Sequence, residues 1–105
     1  MKMTREAAKE YIERVYRGHW MKEILDMAYE GKEGTITVSK KAMDGLDEAY
    51  EHFPLNAPSI PELVHSLSNG EMAYDEFYTS NTEPYSAGLP LNERFILKVE
   101  RIRNA

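Results

Sequence analysis

One β-branched run, Thr35-Ile36-Thr37-Val38, stands in a chain otherwise patterned for helix. A lone strand is not stable in water, so this run requires a partner elsewhere in the chain. The other β-rich run is Phe95-Ile96-Leu97-Lys98-Val99. Its alternation of Phe95, Leu97 and Val99 suits a strand, while Leu91, Phe95, Val99 and Ile102 would equally stripe a helix. The need of the first run for a partner decides for strand. The expected fold is therefore α+β: a helix-rich single domain over residues 1–105, with four or five helical segments and a small two-stranded sheet. An all-α bundle is the alternative if 91–103 is helical.

The helical segments follow from caps and stripes. Thr4 is placed to cap a helix that runs to about Glu30, with Gly31 where a left-handed residue ends it. Ala8, Tyr11, Ile12, Val15 and His19 share one face, whereas Trp20, Ile24, Met27 and Ala28 centre about 140° away. That rotation predicts a kink or short break near Gly18. Lys9 with Glu13, Glu10 with Arg14, and Glu13 with Arg17 mark a solvated side. Ser39 is placed to cap a second helix from about Lys40 to Phe53, with Met43, Leu46, Tyr50 and Phe53 inside. Pro54, Pro58 and Pro61 bound a loop, and Ser59 with Glu62 has capping-box spacing ahead of the Ile60, Leu63, Val64 and Leu67 stripe. Asn69 and Gly70 end that helix. Residues 71–79 read as one more short helix burying Ala73, Tyr74, Phe77 and Tyr78, and 80–90 as a polar loop.

Composition limits what such a domain can do. The chain has no Cys, which removes disulfides, thiolate metal sites and a Cys nucleophile. Neither an apolar run of membrane-spanning length nor the apolar centre of a signal peptide is present, so a cytoplasmic location away from membranes is expected. The formal net charge of −5 is an average over a segregated layout. Residues 42–87 carry nine carboxylates and no Lys or Arg, while both flanking segments are mildly basic. An acidic block of this kind repels nucleic acid and attracts basic partners over about 8–10 Å at physiological salt.

Motifs for chemistry are sparse. G-x-S-x-G, the phosphate-binding P-loop, G-x-G-x-x-G and H-E-x-x-H are all absent. Glu62 and His65 have Glu-x-x-His spacing, but di-metal bundles need two such motifs facing inward, and these two residues lie roughly 150° from the apolar stripe. Glu48 and His52 also lie away from their helix's apolar side. His19 reads as a hydrogen-bonded interior or boundary residue. Residues 60–79 have a helix-turn-helix outline, yet the second segment carries Glu71, Asp75 and Glu76 and no positive charge, which opposes DNA binding. No metal or cofactor is expected.

One constellation stands out. Asp44, Asp47, Glu48 and Glu51 fall within about 100° on one helix and project to solvent together. Tyr74, Asp75, Glu76, Tyr78 and Tyr85 lie in the same acidic block, and Tyr is a favoured anchor in interfaces. The expected function is that of a small acidic, non-enzymatic binding protein. Its carboxylate-rich surface would dock on a larger protein with a basic, nucleic-acid-handling surface and inhibit or modulate it. In type, though in no motif, this is similar to viral and mobile-element inhibitors such as anti-CRISPR proteins. Two readings from other classes stand beside it: a small metal-dependent enzyme or cation-binding module using the acidic ridge, and a structural subunit that buries the Tyr-rich surface against a second copy.

Overall fold

The computed structural model describes residues 3–80 and 93–103. Within them lie four helices, α1 (Arg5–Val15), α2 (Met21–Glu30), α3 (Lys40–Glu51) and α4 (Ile60–Leu67), and three strands, β1 (Gly34–Ser39), β2 (Met72–Ser80) and β3 (Glu93–Arg101). The strands form one antiparallel sheet in the order β1-β3-β2.

Local chemistry sets most of the boundaries. Thr4 Oγ1 accepts from the Ala7 N–H, Ser39 Oγ from the Ala42 N–H and Ser59 Oγ from the Glu62 N–H, so three helix starts are capped as the spacing predicted. The expected interruption of the first helical stretch is a clean break. α1 ends at Val15, Gly18 takes a φ of 75°, and α2 begins at Met21. His19 belongs to this connection rather than to α1, and its Nδ1 accepts from the Met21 N–H at the start of α2. Gly31 closes α2 in the left-handed region at φ 71°, and the Lys32 N–H returns to the Met27 carbonyl in a Schellman closure.

Thr35–Val38 and Phe95–Val99 pair as expected, with Ile36 opposite Leu97 and Val38 opposite Phe95. The sheet nevertheless has three strands, because the segment expected as a fifth helix is β2. Ser68 and two left-handed residues, Asn69 at φ 53° and Gly70 at φ 79°, turn the chain straight from α4 into that strand. Buried Ser68 Oγ donates to the Val64 carbonyl and accepts from the Met72 N–H, which joins the helix end to the strand start. The helix-turn-helix outline is thus helix-turn-strand.

The core lies between the helices and one face of the sheet. Ala8 and Ile12 of α1, Ile24, Leu25 and Ala28 of α2, and Leu63, Val64 and Leu67 of α4 meet Met72, Leu97 and Val99 from the sheet. α2 and α3 pack on β1 and β3, and α4 packs on β2. Pairing puts Met72, Tyr74, Glu76 and Tyr78 on the helix side of β2, and Ala73, Asp75, Phe77 and Thr79 on the other. The helix layer covers Met72, which is buried, but leaves Glu76 and Tyr78 exposed. Phe77, on the far face, is also half in solvent at 49 %. A strand exposed on both faces over half its length has no clean apolar alternation, which is why a helical pattern fitted it equally well.

Two polar devices hold the helices together. Lys9 and Lys22 share Glu13 and Asp26 in a four-membered network that bridges α1 and α2, with contacts from 2.7 to 3.4 Å. The Arg5 guanidinium donates from Nε to the Leu67 carbonyl at 3.1 Å and from Nη2 to the Tyr29 carbonyl at 3.0 Å, lying 3.8 Å over the Tyr29 ring. It thereby sets one cation at the C-terminal ends of both α2 and α4.

Candidate functional site

The carboxylates of α3 lie on its outer side because Met43 and Leu46 are drawn to the core. Asp44, Asp47, Glu48 and Glu51 are all exposed. Two of them also border a concavity. Asp44 and Asp47 face a groove of about 440 Å³ between α3, the start of α4 and the sheet, together with Glu76 of β2. Glu48 and Glu51 are not among its walls. The floor is apolar, made by Met43, Leu46, Ile60 and Phe95, with Tyr50 on one side.

Hydrogen bonding organises these carboxylates. Glu76 Oε1 accepts from the Tyr74 hydroxyl at 2.6 Å, and Asp44 Oδ2 accepts from Lys40 Nζ at 3.1 Å. Asp47 has no ion pair among the described residues. The Tyr50 hydroxyl lies 3.0 Å from that of Tyr16. Burial drives the phenols of Tyr16, Tyr50 and Tyr74 above their ordinary ionisation range. All three are neutral near pH 7, so the groove's negative charge is that of its carboxylates and its Tyr side supplies hydroxyl dipoles.

The other expected site residues are dispersed. Asp75 lies on the face of the sheet opposite Glu76, because the segment expected as a helix presenting both is a strand. Tyr78 is exposed on the helix side, where its hydroxyl donates to Glu93 at 2.8 Å and its ring meets Phe95 edge-on. Tyr85 lies outside the described residues. Glu62 with His65, and Glu48 with His52, are exposed. Among the described residues, no three His, Asp or Glu side chains converge as metal ligands. His19 is half-buried, and burial holds its imidazole below the ordinary value, in keeping with Nδ1 as an acceptor. No described helix is long and apolar enough to cross a membrane.

A second concavity escaped the sequence. A cleft of about 360 Å³ opens between the last turns of α1 and the loop 52–58, with Tyr11, Val15, Phe53, Pro54 and Pro58 among its walls and Arg14 at its edge. The clustered prolines signalled a loop, but nothing in the sequence said that this loop folds back on α1. No family model, curated protein or solved structure matches this chain.

Proposed function

We propose that this is a non-enzymatic binding protein that uses the α3–β2 groove to seat a basic side chain of a larger, nucleic-acid-handling partner, and so blocks or modulates that partner. The observation that carries the reading is the placement of Asp44, Asp47 and Glu76 around an apolar floor. A Lys or Arg side chain has that same division, an aliphatic stem with a charged head. Its stem would lie on Ile60 and Phe95, and its head would reach the carboxylates. A face that served solubility alone has no use for an apolar floor beneath its charges. Arg suits the site better than Lys, because its planar fork can engage two carboxylates and stack on Tyr50.

Binding of a fluorescent oligo-arginine tests this, with two triple variants of equal charge change. Asp44→Asn/Asp47→Asn/Glu76→Gln removes the groove carboxylates, and Glu48→Gln/Glu51→Gln/Glu62→Gln removes three exposed ones outside it. The groove variant is expected to lose about tenfold or more in affinity and the outer variant about threefold or less, with binding weakening as salt rises. Equal losses would reduce the effect to net charge and defeat the proposal. The wild-type protein immobilised at low salt should also retain nucleic-acid-handling proteins that the groove variant does not.

A further inference from the structure

From the cleft between α1 and the loop 52–58, we infer a second binding site, for a small apolar monocarboxylate of medium chain length. It is separate from the acidic groove and does not depend on the function proposed for it. Its walls are nearly all apolar: Tyr11 and Val15 from α1 face Phe53, Pro54 and Pro58 from the loop. The volume of about 360 Å³ lies at the small end of the range for ligand pockets. At about 30 Å³ for each non-hydrogen atom, the cleft holds about a dozen, the size of decanoate.

Charge selects the head group. Arg14 lines the cleft and is exposed, and among the described residues it has no carboxylate partner within ion-pair distance. Its one contact of note is with the Tyr11 ring, 5.9 Å from the centroid. The nearest acids on α1 do not neutralise it. Glu13 is held by Lys9 and Lys22, and Glu10, one turn back, is exposed and makes no ion pair among the described residues. Arg17 adds a further positive charge one turn on. An apolar slot whose only lining charge, among the described residues, is a guanidinium without a carboxylate partner fits a chain with a terminal carboxylate, since Arg binds carboxylates in a fork. It disfavours a cationic amphiphile, which would set like charges together.

Decanoate below its micelle concentration is the probe, titrated into the full chain and followed by backbone amide shifts and thermal unfolding. Saturable shifts are expected at Tyr11, Arg14, Val15 and Ala57, with a rise in melting temperature that grows with ligand concentration. Arg14→Gln should weaken decanoate about tenfold, and Arg14→Lys should recover part of that loss. Decanol and decylammonium carry the same chain without the anion, and acetate carries the anion without the chain. All three should bind about tenfold more weakly or worse. The inference is overturned if decylammonium or decanol matches decanoate, if Arg14→Gln binds as well as the wild type, or if no saturable shift occurs at the cleft. The triple groove variant should bind decanoate normally, so failure at either site is read independently of the other.

Discussion

Replacing Arg5 by Met tests whether a single cation joins two helix ends. Met keeps an unbranched apolar stem and removes both hydrogen bonds, leaving the Leu67 and Tyr29 carbonyls without this donor. A hydrogen bond to a charged group contributes about 1.5–3 kcal/mol, and stacking over an aromatic ring about 0.5–1 kcal/mol. Arg5 is only half-buried, so water can replace part of each contact. A loss of about 3 kcal/mol is the resulting expectation. For a domain of this size each kcal/mol moves the melting temperature by ~4–5 °C, which gives a fall of ~12–15 °C. Arg5→Lys keeps the charge but not the fork, and should lose about half as much. Arg17→Met is the control, because Arg17 is exposed and shares the charge change without the contacts. Urea unfolding with an unchanged slope would report the three stabilities on one scale. If Arg5→Met lies within about 1 kcal/mol of Arg17→Met, the carbonyl clamp contributes nothing beyond surface charge and the reasoning fails.

Two further expectations concern the break between α1 and α2. Because burial lowers the folded-state pKa of His19, the unfolded chain takes up the proton first. Its contribution is complete above the ordinary imidazole value of about 6.5 and falls as pH drops through that value toward the lower folded one. Melting followed between about pH 7.5 and 5.5 should therefore show less acid destabilisation in His19→Asn, which keeps an acceptor for the Met21 N–H but does not titrate; an equal loss in both proteins would refute it. Gly18→Ala should destabilise by about 1 kcal/mol from the positive φ alone, since a Cβ there meets no atom within 4 Å, and a variant more stable than wild type in urea would contradict this.

The legible parts of the fold were those with local causes. Thr4, Ser39 and Ser59 could be placed as caps because a cap needs only a hydroxyl and the next few residues. Gly31 was found because a left-handed helix end has few tenants, and the break at Gly18 because the apolar stripe rotates there. β2 was lost because strand and helix periods both fit a segment whose two faces are wet. That error carried into the site: Asp44 and Asp47 were found, while their relation to Glu76 required the strand and its register. Arg5 left no trace in the sequence, because its partners are carbonyls, which every residue has. Arg14 read as half of a surface pair with Glu10, and only the fold of the loop shows it beside a cleft.

The middle strand of the sheet is the last to be made. β3 supplies Leu97 and Val99 to the core and is the neighbour of both β1 and β2, which do not touch each other. During synthesis no part of the sheet can form until β3 begins to emerge. At ~5–20 residues per second, β1 waits several seconds for a partner about 60 residues downstream. Through that interval the inner sides of α2 and α4 have no sheet to cover them, and Thr35–Val38 remains an unpaired β-prone segment. β2 and β3 are far closer in sequence than β1 and β3, so pairing them costs less chain entropy than pairing β1. A nascent chain stalled before Phe95 therefore lacks the strand on which the apolar sides of its short helices pack, and helices of 8–12 residues are marginal without such packing.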